Sequence, residues 1–211
     1  METEKADGRR EAGERSRHRL MAAARTLLAE RGEESVSLRD ITEAAEANVA
    51  AVSYHFGSKD ALCRAAIQDA LDGLTRDQLD GLRPLVEAPE LPTLQQIVEA
   101  WIQPVVCGVT GGRDANLVMR LVARSLVPPP TGNDEPGRWP SRSGAIPTLV
   151  AALRRIEVFA DKDEIRFRVG CAEGILHFIA SGNMPSDLIL DRAEEIEHAL
   201  TPMLAAILRP Q

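Results

Sequence analysis

The sequence predicts an all-α chain in two parts, on three observations. Ala and Leu are abundant beside Arg and Glu, a composition that favours helices over strands. Apolar residues recur at spacings of three and four along most of the chain. No segment alternates β-branched with polar residues as a half-buried strand would. With 44% hydrophobic and 27% charged residues over 211 positions, a real core is expected, and with aromatics at only 3% it must be built from aliphatic side chains.

The stretch METEKADGRREAGE, residues 1–14, is almost without apolar side chains and is read as a mobile N-terminal arm. Leu20, Ala24, Leu27 and Leu28 then give a helical stripe running to Arg31, with Gly32 placed for a left-handed C-terminal cap. Ser37 stands three residues before Asp40, a relative of the capping box, and opens a two-turn helix whose buried side is Leu38, Ile41 and Ala45. Glu46 and Ala47 make a turn, Asn48 caps Val49 to Phe56, and Gly57-Ser58 end that helix. Ser58 caps a longer helix, KDALCRAAIQDALDGLTRDQLDGL, with Leu62, Ala66, Leu71 and Leu74 as its stripe. Two short helices around a tight turn, flanked by longer ones, form a helix-turn-helix pattern. We place this domain at 15–62 and a second helical domain at 63–211.

Beyond Pro84, helices are expected over Leu94–Val109 and Ala115–Leu126, the second stopped by Val127-Pro128-Pro129-Pro130. A loop rich in turn formers, TGNDEPGRWPSRSGAIP, follows. Thr148–Ile156, Asp163–Ala180 and Ser186–Leu208 complete the chain. In the last of these, Ile189, Ala193, Ile196, Leu200, Met203 and Ile207 form a narrow seam suited to another helix.

Charge and cysteine content bound the function. The formal net charge is −7, and Met1–Arg64 carries 11 basic and 12 acidic residues against 14 and 20 in the remainder. A basic patch is the usual footprint of a nucleic-acid binder; this balance neither advertises one nor excludes it, since Arg9, Arg10, Arg15, Arg17, Arg19 and Arg25 crowd one stretch, relieved only by Glu11 and Glu14. Cys63, Cys107 and Cys171 are odd in number and widely spaced, which indicates neither a disulfide framework nor a zinc site. No stretch approaches the ~20 apolar residues of a membrane span, so a cytosolic protein without cofactor or metal is expected.

The helix Val49–Phe56 carries the sharpest signal. At about 100° per residue, Val52 and Phe56 point inward with Val49 and Ser53 at the margins, while Ala50, Ala51, Tyr54 and His55 point outward. A solvated helix would show Lys, Glu or Gln on that outer side. A helix lying in a DNA major groove would not: small side chains let the backbone approach, and alanine methyls can meet the thymine methyl. Tyr54 and His55 can donate to phosphates. Lys59, in the first turn of the next helix, sits against the dipole rule and wants an anionic partner. The competing reading is an ordinary bundle surface, with Tyr54 and His55 solvated and the alanines packed.

From Arg17 to Ala65, through LLAERG, SLRDITEAA, the turn and YHFGSKDAL, the sequence resembles the TetR family of bacterial transcriptional regulators. NVAAVSYHFGSK further resembles the subgroup whose recognition helix begins Asn-Val-Ala-Ala. The resemblance implies base-edge contacts from Val49, Ala50 and Ala51, and phosphate contacts from Ser37, Ser53, Tyr54, His55 and Lys59. One position departs from it: Glu46 stands in the turn where Gly, free to take a positive φ, is usual.

The same resemblance implies a C-terminal domain that dimerises and holds a small effector. The expected partners are thus double-stranded DNA with a palindromic operator, a second copy of the chain, and an effector that releases a repressor from its site. Ile175 and Ile179, with Ile189, Ile196, Leu200, Met203 and Ile207 of the seam, are the expected dimer interface, packing within one chain being the alternative. Trp101, Cys107, Met119, Arg120, Arg124, Trp139 and His177 are the candidate pocket residues. Two other function classes stand beside the regulator. One is an all-helical enzyme using Glu173 and His177 at i and i+4 as acid and base, for which no nucleophile, phosphate loop or metal set is present. The other is a helical adaptor that binds protein through the seam.

Overall fold

The computed structural model describes residues 2–126, 145–156, 162–182 and 192–209. Every regular element among them is helical: α1 Glu2–Arg31, α2 Leu38–Ala44, α3 Val49–Phe56, α4 Lys59–Glu87, α5 Leu94–Thr110, α6 Arg113–Leu126, α7 Ala145–Arg155, α8 Lys162–Ala180 and α9 Ala193–Leu208. A single 3-10 turn, Glu33–Ser35, joins α1 to α2. The all-α expectation holds. The chain divides into two compact units, Met1–Asp69 and Ala70–Gln211, so the division falls inside α4 and a few residues beyond the expected 62/63.

In the first unit, α1, α2 and α3 pack against one another. Leu20, Ala24, Leu27 and Leu28 of α1 are buried with Ile41 of α2, Val52 of α3 and Leu62, Cys63 and Ala66 of α4. The stripes read from the sequence are therefore the core. The stretch expected to be an arm is instead helical from Glu2, continuous with α1.

The second unit is organised around α5, which touches α6, α7, α8 and α9 and buries Ile97, Val98, Trp101, Ile102, Val105 and Val106. Thr93 and Gln96 start it with a full capping box, the Thr93 N–H donating to Gln96 Oε1 at 2.8 Å. Pro104 lies inside α5 and removes the N–H that would bond the Ala100 carbonyl. Gly81 of α4 comes so close there that a Cβ would stand 3.0 Å from that carbonyl oxygen. Two arginines tie helix ends. Arg155 donates to the carbonyls of Leu85 at 2.6 Å and Val86 at 3.0 Å, and Arg168 to those of Ile207 and Arg209 at 2.8 Å each. Both satisfy carbonyls that a helix end leaves without an intrahelical donor.

Candidate functional site

The turn between α2 and α3 is built from capping. Ser37 Oγ accepts from the Asp40 N–H at 3.1 Å, while the Ser37 N–H and hydroxyl both donate to Asp40 Oδ2, at 2.8 and 2.5 Å. These bonds hold the Asp40 carboxyl below its ordinary value, the hydroxyl of Ser37 contributing most and its backbone N–H next. At the other end of α2 the Ala47 N–H donates to the Thr42 carbonyl at 2.9 Å and the Glu46 N–H to Glu43 at 3.2 Å. That is the paired bonding of a Schellman cap, whose central residue must be left-handed. Glu46 fills that position with φ 49°, the one non-glycine positive φ among the described residues.

Asn48 then starts α3, its Oδ1 accepting from the Ala51 N–H at 2.8 Å, and Gly57, at φ 81°, ends it. Val52 is buried as expected. The exposed side is rotated from the expected one: Val49, 50% exposed, Ala50, Ser53 and Tyr54, 84% exposed, face outward, while Ala51, His55 and Phe56 are half-buried. The cause is α1. Its extra N-terminal turns bring Gly13 beside His55, where a Cβ would lie 3.8 Å from the imidazole Cε1, and one turn further on Arg17 lies over the Phe56 ring at 5.3 Å. His55 also meets the Tyr54 ring edge-on at 4.8 Å between centroids.

Two residues expected at phosphates have partners within the chain. Both donors of Ser37 go to Asp40, so a phosphate contact there exchanges one of them. Lys59, half-buried, donates from Nζ to the Glu33 carbonyl at 3.3 Å, which offsets its unfavourable place at a helix N-terminus without an anion. Tyr54 and Ser53 stand in the open.

A cavity of ≈ 60 Å³ lies in the second unit. Of the expected pocket residues, Trp101, Met119 and His177 line it together. Cys107 is exposed and accepts from Gln103 Nε2 at 3.2 Å, and Arg120 runs beside Gly182, 3.8 Å from where a Cβ would sit; neither lines the cavity. Trp139 and the side chain of Arg124 lie outside the described residues. The sequence reading missed Leu71, Leu74, Thr75 and Gln78 as lining residues. Thr75 and Gln78 are polar residues one turn on from each of two stripe leucines, a break in the stripe that marks a wall rather than a core. Glu173 lines the cavity too, with His177 one turn on. Thiol chemistry is absent from it: Cys63 belongs to the first unit's core, where burial pushes its thiol up to about 11.

The expected dimer seam is corrected in part. Ile196 and Leu200 are only 6% and 5% exposed and pack inside their own chain, while Ile175, Ile179 and Ile207 are half-buried against the same core. Ile189 lies outside the described residues. Met203 is exposed. The outward face of α8 carries Phe167, 73% exposed, Cys171, Gly174 and Phe178, 53% exposed, at helical spacing beside the exposed Asp163 and Arg166, and that of α9 carries Ala199, Pro202, Met203 and Ala206 beside the exposed Glu195 and His198. Space is open around Gly170 and Gly174.

Residues 20–66 match the sequence profile of a family described as "Bacterial regulatory proteins, tetR family", a span of under a quarter of the chain. No curated protein matches the chain. Among solved structures, a TetR family transcriptional regulator, PfmR from Thermus thermophilus, is similar at 18% identity, with 92% of this chain and 95% of that one covered and a TM-score of 0.56. A TetR-family regulator from Streptomyces coelicolor gives 18% identity, 92% and 94% coverage and a TM-score of 0.43. The likeness to the first is one of fold. Among the described residues no helix is long and apolar enough to cross a membrane, and no group of three or more His, Cys, Asp or Glu is placed to hold a metal ion. The capped turn and the outward helix α3 fall within residues 20–66, the span that matches the tetR-family profile.

Proposed function

We propose that the chain is a TetR-like transcriptional repressor that binds a palindromic operator as a homodimer and is released by a small-molecule effector. The observation that carries the reading is α3: a capped helix that presents Val49, Ala50, Ser53 and Tyr54 to the outside with no long charged side chain among them. In a major groove the valine and alanines meet base edges, and Ala51 does so from the margin. Ser53 and Tyr54 donate to phosphate, as do His55 at the edge, Lys59 on exchange of the Glu33 carbonyl and Ser37 on exchange of Asp40.

One eight-residue helix reads few base pairs, and two copies about one DNA turn apart, ~34 Å, read a palindrome. The apolar face of α8 and α9 supports pairing of copies, because Phe167, Phe178 and Met203 are too apolar to stand in water without a use. Gly170 and Gly174 let a partner helix come close. An effector in the second unit's cavity then acts by binding one half-site spacing better than another.

An electrophoretic shift with the DNA that flanks the coding region tests this. A specific complex that weakens as salt rises is expected, and complete indifference between that DNA and unrelated duplex would overturn the proposal. The pairing of Glu173 with His177 gives the enzyme reading its only support, and the matched DNA-binding domain gives it none.

A further inference from the structure

The effector reading leaves the chemistry of the ligand open, and the cavity wall narrows it. Trp101 is 1% exposed, and its indole N–H has no acceptor among the described residues. A buried donor left unmade is costly and calls for an explanation. The other such group, the Thr201 hydroxyl, does not line the cavity, whereas Trp101 does. The Trp101 backbone is held by Gln78, whose Nε2 donates to its carbonyl at 3.2 Å, so the helix turn that bears the indole is fixed from the α4 side.

Charge on the described part of the wall argues against one class of ligand. Among the described residues, the ionisable ones lining the cavity are Glu173 and His177, with no Lys or Arg, and Arg120 is turned toward Gly182. Among the described residues an anion would meet the Glu173 carboxylate and no Lys or Arg, in a wall otherwise made of apolar side chains such as Leu71, Leu74, Val105 and Met119 and the neutral polar Thr75 and Gln78. At ≈ 60 Å³ the space is small, but one wall can yield. Met119 of α6 sits in the notch left by the missing side chain of Gly108, and a thioether with three rotatable bonds repacks at low cost.

Resting on the effector reading, we propose that the cavity takes a neutral, mainly apolar small molecule whose carbonyl-type oxygen accepts a hydrogen bond from Trp101 Nε1–H, with Met119 moving aside to admit it. The ligand supplies the acceptor that the Trp101 N–H lacks among the described residues, and apolar contact supplies the rest of the affinity.

Three probes of one ring size separate the contributions: cyclohexanone, methylcyclohexane and cyclohexanecarboxylate, titrated calorimetrically into the full chain. Cyclohexanone should bind about five- to tenfold more tightly than methylcyclohexane, the worth of one hydrogen bond, and the carboxylate most weakly. Trp101→Phe should erase the advantage of the ketone and leave the hydrocarbon within about twofold. Should Trp101→Phe not fold, the ranking on the unaltered chain decides by itself. Equal binding of ketone and hydrocarbon, or tightest binding of the carboxylate, overturns the ligand class while the cavity still holds a ligand. Binding of none of the three, also after Met119→Ala widens the cavity, overturns the ligand class and the cavity as a ligand site together. A shift assay with cyclohexanone separates the remaining case: correct ranking with an unchanged DNA complex keeps the ligand class and defeats the effector reading.

Discussion

The two units carry apolar surfaces of different kinds. In the first, α3 shows small residues, Val49 and Ala50 beside Ser53 and Tyr54, over a core sealed by Leu20, Leu28, Ile41 and Val52. In the second, α8 shows large ones, Phe167 and Phe178, with glycines between. A face of small residues accepts a surface whose own relief supplies the specificity, as a groove floor does. A face of aromatics and glycines supplies its own relief and fits a copy of itself. The difference teaches that exposure alone does not name a partner, whereas the size of the exposed side chains narrows it.

The largest break in that comparison is expected from Gly174→Arg. A long cation on the α8 face should leave helix content unchanged, convert the proposed dimer to monomer in sedimentation, and lower operator affinity about a hundredfold as the two half-sites lose their linkage. Retention of the dimer would move the interface elsewhere. Next come the proposed phosphate contacts. Tyr54→Ala should weaken binding to all duplexes about tenfold, and Lys59→Ala should flatten the salt dependence by about one unit, read from a shift assay over a salt series.

A finer test separates neighbouring alanines. Ala50→Leu, on the exposed side, should change base preference in a binding-site selection without changing the thermal midpoint. Ala51→Leu, half-buried, should lower the midpoint as well as alter preference. If Ala51→Leu is thermally silent and Ala50→Leu is not, the orientation of α3 is wrong.

Smaller effects come from the turn. Glu46→Gly removes a left-handed non-glycine residue and should raise stability by about 1 kcal/mol, measured by denaturant unfolding, with a modest gain in DNA affinity from the lost negative charge. Acid should loosen α2. The Asp40 carboxyl is held below its ordinary value in the folded chain, so its contribution is present above that ordinary value and is lost as pH falls through the folded one. Ser37→Ala should reduce that acid sensitivity in thermal scans from neutral pH into the carboxylate range, and an unchanged acid response would deny the capping box its role.

Most of the fold was legible in the sequence because caps and stripes are local. Ser37, Asn48 and Ser58 mark helix starts by side-chain bonds to nearby N–H groups, and Leu20 to Leu28 mark a buried face by spacing alone. What spacing cannot carry is the identity of the neighbour. Ile196 and Leu200 have the seam's period but turn to their own core, since one stripe serves equally for an inner or an outer partner. The orientation of α3 was missed for a related reason: residues 2–14 are poor in apolar side chains, yet they continue α1, and Gly13 and Arg17 cover His55 and Phe56. In the cavity, Trp101 and His177 were found as large or titratable residues in apolar helices. Arg120 was expected there but lies beside Gly182, because its period along α6 does not tell which neighbour it takes.

The central claim is that α3 reads DNA and that two copies do so together. Hydroxyl-radical footprinting on the flanking DNA tests it most directly. Two protected patches about one helical turn apart, ~10 base pairs centre to centre, both lost with Gly174→Arg, are the predicted result. A single patch unaffected by that substitution, or no protection at concentrations that saturate unrelated DNA, would contradict it.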